Sequence, residues 1–240
     1  MLGIFSLQEM KSPTYIIRAK GPLAIFTRPE FKSERFSYPC ITPSAARGLV
    51  EAVLWKPAIT WHISKIHVLS PIKWTSFRRN EVSSKASAPS KSIITNGGPA
   101  PCQHADRDRA MRNTVALSNV DYAIELHFTM TSKAGSDDNL SKFHEMFVRR
   151  MAKGQHFQQP YFGCRECIAD LELIENVLPA IPDTKDLGIM LWDIDYKGSG
   201  KDDRSSPIFF HAQLEQGSIV IPANPDEARQ SLLKYTVESC

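Results

Sequence analysis

The sequence predicts an α+β chain: strand, helix, strands, helix, strand as far as residue 173, then a strand-rich tail. Three observations predict it. Apolar residues recur at helical spacing in two segments that carry their own start and stop signals, 43–55 and 140–153. Alternating β-branched and aromatic stretches lie on either side of each. Pro, Gly and Asp break the chain after residue 178 into short pieces with strand patterning.

Tyr15 to Ala19 reads as a first strand that ends at Gly21-Pro22, and a basic loop with Arg28, Lys32 and Arg35 follows. Thr42 offers a capping oxygen and Pro43 the fixed φ of a first helical turn. From there Ala45, Ala46, Leu49, Val50, Val53 and Leu54 form one apolar stripe, with Arg47 and Glu51 set apart from it. Lys56-Pro57 stops this helix, because the residue before proline avoids the α region. Ile59 to Leu69 alternates through Ile59, Trp61 and Ile63 and then shifts phase, as a bulged strand does.

Pro71 to Val82 reads as a hairpin, with Arg78-Arg79-Asn80 at its basic turn, and 83–106, rich in Ser, Pro, Lys and Gly, as a long mobile loop. Thr114 to Met130 is one long strand or a pair. A turn at 135–139 leads into the second helix, 140–153, where Leu140, Phe143, Phe147 and Met151 make the core stripe and Gly154 closes the end. Tyr161 to Leu173 reads as a strand, and 179–185 as a break. Segments 187–196 and 208–221 read as short antiparallel strands, and 225–234 as a last helix. This is the order of a ferredoxin-like (RRM-like) βαββαβ domain over 1–175, with a small antiparallel β subdomain and C-terminal helix over 176–240.

The charge is unevenly spread. Residues 1–112 hold 17 cations against 7 carboxylates, a net +10, and the remainder holds 12 against 19, a net −7. A basic half points to a polyanionic partner, and an acidic half, including Asp193, Asp195, Asp202 and Asp203, faces away from it or meets protein. No apolar run reaches the roughly 20 residues that span a bilayer, and no basic stretch leading into an apolar one opens the chain as in a secretory leader. Five widely spaced cysteines make no disulfide framework. A cytoplasmic protein with no membrane partner is expected.

Chemistry-bearing stretches are few. Gln155 to Cys167, QHFQQPYFGCREC, mixes aromatic, amide and basic groups after the basic end of the second helix. Aromatic faces stack on splayed bases and arginines pair with phosphates, so the mixture suits single-stranded RNA. Cys164 and Cys167 are two ligands where a closed zinc site needs four, with Cys102 and His104 the nearest complement. No phosphate-binding loop, dinucleotide fingerprint or G-x-S-x-G is present. Lys142 and His144 lie two residues apart, so on a regular helix begun before Lys142 they face different ways.

Several of these motifs are long: ITPSAARGLVEAVLWKPAITW, PIKWTSFRRNEV, RRMAKGQHFQQPYFGCREC, LGIMLWDIDY and PIFFHAQLEQGSIVIP. Through them the chain, from about Tyr15 to Pro222, resembles the Dvulg-subtype (type I-C) CRISPR-associated family, the Cas-five group of the RAMP superfamily. The resemblance implies the same two-part fold and a metal-independent endoribonuclease, with no cofactor, that cuts CRISPR repeat RNA. It implies that the product, the mature guide RNA, stays bound by its 5′ handle beside the backbone and large subunits of the type I-C interference complex. Processing members of that family carry Tyr where Leu54 stands and Lys at the position of Lys142. Some have His directly after it, where this chain has Phe143 and offers His144 one place later.

Lys142 is thereby the candidate electrostatic group and His144 the candidate acid or base. Lys20, Arg28, Arg35, Arg47, Lys56, Arg78, Arg79, Arg149, Arg150 and Arg165 are the candidate RNA-binding cations. A non-catalytic RNA-binding subunit of the same complex is the alternative, and duplex DNA is a further candidate ligand for the basic surface.

Overall fold

A computed structural model describes residues 11–31, 34–197 and 204–238. Lys32, Asp202 and Asp203 lie outside them. The molecule is a mixed α/β structure dominated by antiparallel sheet. Its elements are β1 (Tyr15–Ala24), β2 (Arg35–Phe36), α1 (Pro43–Val53), β3 (Ile59–Val68), β4 (Trp74–Val82), α2 (Lys91–Asn96), β5 (Arg109–Met130), α3 (Leu140–Ala152), β6 (Asp170–Ile174), β7 (Lys185–Lys197), β8 (Arg204–Leu214), β9 (Ser218–Val220) and α4 (Pro225–Glu238).

Seven strands make the main sheet. Five run in the order β6-β1-β5-β3-β9, and β2 and β4 also pair with β5. The 22 residues of β5 hold this arrangement together. Its second half lies between β1 (Ile17 opposite Ile124) and β3 (Ile66 opposite Ile124), both antiparallel. Its first half carries β4 antiparallel and β2 parallel, with Phe77 and Arg35 both opposite Thr114. Asn119, where β5 leaves β4 and has yet to meet β3, has φ of +52°. Asn tolerates this left-handed backbone better than most residues, and such a residue in a strand is where the ribbon kinks.

Tyr15, Ile17, Trp61, Ile63, Leu126 and Phe128 turn to one side of the sheet, and α1 and α3 cover them. The helices form where their signals lie. Thr42 accepts a hydrogen bond from the Ala45 N–H, and Asn139 one from the Lys142 N–H. The buried faces are Ala46, Leu49, Val50 and Val53 on α1, and Phe143, Phe147 and Met151 on α3. Phe147 meets Tyr15 edge-on and Trp61 at a tilt, with ring centroids 4.9 and 4.8 Å apart. β7 and β8 pair as a separate hairpin that packs on α1 and α4, while β9 returns to β3, Ile219 opposite Ile66.

Five readings of the sequence change. β1 does not end at Gly21-Pro22 but runs on to Ala24, where β6 no longer pairs with it and a missing proline N–H is tolerated at the edge. Residues 71–82 hold one strand, so Arg78, Arg79 and Asn80 lie within β4 and not at a turn. The 83–106 segment contains the helix α2. Only 170–173 of the 161–173 stretch lies in a strand, β6; the chain from Tyr161 to Ala169 turns instead, through Gly163, whose φ is +78°. Residues 208–221 divide into β8 and β9 at Gln216-Gly217, both with positive φ.

Candidate functional site

The start of α3 is assembled from short-range contacts. Asp138 accepts a hydrogen bond from the Gly135 N–H at 3.0 Å and another from Lys142 Nζ at 2.9 Å. The Gly135 bond first, and then Lys142, hold the Asp138 carboxyl below its usual range, with Lys56 adding to the effect. Lys56, after α1, and Lys142, on α3, thus share one carboxylate's neighbourhood. Next to Lys56, the Thr131 hydroxyl donates to the Pro57 carbonyl at 2.6 Å. The Lys142 side chain is 44% exposed, and its ammonium lies 5.8 Å from the centroid of the Phe143 ring.

The helix begins at Leu140, ahead of Lys142, so Lys142 and His144 are not brought together. His144 instead shares a 2.8 Å hydrogen bond, through Nδ1, with the hydroxyl of Tyr15, and their rings stack with centroids 5.7 Å apart. Burial pushes the Tyr15 phenol above its ordinary pKa, so it stays protonated. Sequence reasoning missed Tyr15. The only signal was a tyrosine at the start of a strand whose alternation turns it inward. Leu54 and Phe143 are both buried, and neither carries a group that can move a proton.

The ten candidate cations fall into several groups. Arg47 makes a two-pronged pair with Asp193 on β7 and lies 3.4 Å from Glu51. Burial by itself would lower the Arg47 pKa, but the Asp193 hydrogen bonds and charge outweigh it and raise the value. Arg35 pairs with Glu81 at 3.1 Å and Glu166 at 3.2 Å, and Arg79 pairs with Glu166. Arg35, Glu81 and Glu166, with Arg165 and Cys164, bound an open cleft of about 530 Å³. Arg28 lies over the rings of Phe36 and Tyr38, at 5.4 and 5.0 Å. Arg150 donates to the Val53 carbonyl at 2.6 Å and thereby ties α3 to the end of α1. Lys20, Lys56, Arg78, Arg149 and Arg165 are exposed. Cys167 is buried, which pushes its thiol up to about 12, and Cys164 accepts a hydrogen bond from Arg35 at 3.5 Å.

A larger groove, about 720 Å³, lies along the outer face of α1 between residues 157–163 and β7. Its walls are tied to the helix. The Phe157 N–H donates to the Ala52 carbonyl at 2.8 Å on one side, and the Arg47–Asp193 pair anchors β7 on the other.

Residues 14–222 match Cas_Cas5d, a family of CRISPR-associated proteins (Cas_Cas5). The chain belongs to the Cas5d family. The CRISPR pre-crRNA endoribonuclease Cas5d of Mannheimia succiniciproducens is 45% identical over 211 residues, 84% of this chain and 92% of that protein. The protein of the same description from Thermus thermophilus is 34% identical over 221 residues, 86% of this chain and 90% of its own. A crystal structure of a CRISPR-associated protein superposes with a TM-score of 0.65 at 22% identity, over 90% of this chain and 95% of that one. A functionally uncharacterised protein from Streptococcus mutans gives 0.65 at 20% identity, over 92% and 97%. These two likenesses speak to the fold. The Cas5d match runs from the edge of β1 to just past β9, so it takes in the start of α3, the arginine cleft and the α1 groove.

Proposed function

We propose that this Cas5d chain is an endoribonuclease that cuts CRISPR repeat RNA into mature guide RNA. It then stays on the 5′ handle within a type I-C interference complex, beside the backbone and large subunits. One observation carries the reading: the 45% identical relative, matched over 84% of this chain, is named a CRISPR pre-crRNA endoribonuclease. The cytoplasm is the proposed compartment.

The proposed chemistry needs no group beyond RNA and protein. The 2′-oxygen beside the scissile phosphate attacks phosphorus, the bond to the 5′-oxygen breaks, and a 2′,3′-cyclic phosphate and a 5′-hydroxyl result. A base takes the 2′-hydroxyl proton, a cation stabilises the charge on the phosphorane, and an acid protonates the leaving oxygen. Lys142, with Lys56 beside the same carboxylate, is the proposed electrostatic group. Its position at a capped helix start supports this, since the start carries partial positive charge. His144, oriented by Tyr15, is the proposed acid or base; it faces the opposite flank of α3, so it would serve a phosphate on that side in place of Lys142, not together with it. The exposed cations Lys20, Arg78, Arg149 and Arg165 are proposed to follow the phosphates. Duplex DNA would compete for the same surface.

A ferredoxin-like core is part of the proposal. The order β6-β1-β5-β3, with α1 linking β1 to β3 and α3 linking β5 to β6, supports a βαββαβ unit over 1–175. The β7–β8 hairpin with α4 supports a small unit over 176–240.

The test is cleavage of repeat RNA by purified protein in EDTA, beside RNA with 2′-deoxyribose at the scissile nucleotide. Cutting of the all-ribose RNA alone upholds the reading. Cutting of both, or a need for a divalent ion, would overturn it. One observation favours a second reading, an RNA-binding subunit without turnover: Leu54 and Phe143, at two expected catalytic positions, are buried and chemically inert. Tight binding of repeat RNA with no cut product would establish that one.

A further inference from the structure

The three most exposed aromatic side chains among the described residues are Phe157 (90%), Tyr196 (69%) and Trp55 (62%), and all three line the groove along α1. They come from three separate parts of the chain: the loop after α3, the end of β7, and the residue after the α1 cap. Burying a large aromatic ring is worth more than burying almost any other side chain, so rings left this exposed around one cavity are a surface kept open for a flat partner.

The floor is equally specific. Ala45, Gly48 and Ala52 face the groove from α1, and a Cβ added to Gly48 would meet nothing within 4 Å. A glycine in mid-helix costs about 1 kcal/mol relative to alanine, and here it is not required by packing or by φ. What it leaves is depth. Thr27, Ser44 and Gln158 add hydroxyl and amide groups that can hydrogen-bond the edge of a planar ligand.

The charges decide which part of a nucleotide enters. Glu51 alone of the lining residues is charged, and it is a carboxylate whose pKa burial raises, held beside Arg47 at 3.4 Å. It repels a phosphate. Lys56, next to Trp55, is exposed beyond the groove, where a sugar–phosphate backbone would pass. A protein segment docking by its apolar side chains would find only Leu191 and Ile194 as larger aliphatic partners.

We propose that this groove binds unpaired nucleobases of the RNA, stacked against Phe157, Trp55 and Tyr196, with the phosphates outside over Lys56. This rests on the RNA-processing reading and names the feature of the substrate that the reading leaves open: a single-stranded segment read through its bases. It gives Arg47 a second task, since its pair with Asp193 holds the β7 wall, and Tyr196 with it, against α1.

The experiment measures binding of fluorescently labelled repeat RNA by the full chain, with Phe157→Ala and Gly48→Leu as variants. Gly48→Leu fills the groove while keeping every aromatic and every charge, and thermal unfolding of both variants checks the fold. A repeat RNA with abasic residues in its single-stranded flanks keeps the phosphates and loses the bases. Loss of one base–aromatic stack weakens binding roughly 5- to 150-fold, and that is the loss expected for each variant and for the abasic RNA. The salt dependence should keep its slope, because slope counts phosphates. Wild-type protein that binds no RNA would overturn the processing reading and the groove's role with it. Wild-type binding that both variants and the abasic RNA leave unchanged would overturn the groove's role alone. Variants that keep RNA affinity and lose association with the other subunits would reassign the groove to protein.

Discussion

Replacing Asp193 by Ala separates two roles for Arg47. As a phosphate ligand, Arg47 would be released by the change and RNA would bind as well or better. As the clamp between α1 and β7, it would be left with Glu51 alone. The size of the effect follows from the setting of the pair. The Arg47 and Asp193 side chains are 32% and 16% exposed, between a surface pair, worth about 0–1 kcal/mol, and a buried one, whose one-sided removal costs about 3–5 kcal/mol. Two-pronged geometry favours the upper side and the remaining Glu51 the lower, so Asp193→Ala should cost about 2 kcal/mol. For a domain of this size that lowers Tm by about 4–8 °C. Urea denaturation of Asp193→Ala, Arg47→Ala and the double variant closes a cycle, and the coupling should be about 1–2 kcal/mol. Coupling under about 0.5 kcal/mol, together with an Arg47→Ala salt slope reduced by about 0.7, would refute the clamp and return Arg47 to the phosphates.

Three further outcomes are expected. Lys142→Ala should slow cleavage by about 10²-fold or more and change affinity for uncleavable 2′-deoxy RNA by less than about 5-fold, measured by single turnover and by titration; equal losses in both would remove Lys142 from catalysis. Tyr15→Phe keeps the ring stack and deletes the hydroxyl beside His144, so stability should fall by about 1 kcal/mol and the pH–rate profile should shift, whereas an unmoved profile would make the hydroxyl structural only. Asp108 accepts hydrogen bonds from Ser83, Ser84 and Gln103, which lower its pKa in that order and tie both ends of the 83–108 segment. A depressed carboxylate contributes stability above its unfolded pKa of about 3.9 and loses it as pH falls through the lower folded value. Hydrogen exchange in this segment should therefore stay slow through pH 4 and become fast in Asp108→Ala at neutral pH.

The helices were legible because their signals are local. Thr42-Pro43, Lys56-Pro57 and the Phe143–Phe147–Met151 stripe each act within a few residues, and α1 and α3 formed there. In sequence, β4 reads as a hairpin because Arg78-Arg79-Asn80 looks like a turn. It is instead a strand with one exposed face, and only pairing with β5 reveals that. The site was less legible for a related reason. Tyr15 and His144 are 129 residues apart, and Arg47 and Asp193 are 146 apart. Sequence offered the cations but not which carboxylates already hold them. The QHFQQPYFG stretch did announce its aromatic character, and its partners Trp55 and Tyr196 became visible only when the fold set them around one groove.

The length of β5 has a consequence for how the chain comes to be folded. β1, β3 and β4 all leave the ribosome before residue 109, and each takes its central pairing from β5. Until then they are three strands with open edges, two of them largely apolar, the condition that invites pairing with the wrong chain. Their helix, α1, can form early from its own caps, but it has no sheet to cover. Synthesis of residues 109–130 is thus the moment at which an assortment of waiting strands becomes a sheet. A nascent chain halted just short of it should be the species that chaperones hold and that aggregates when they do not.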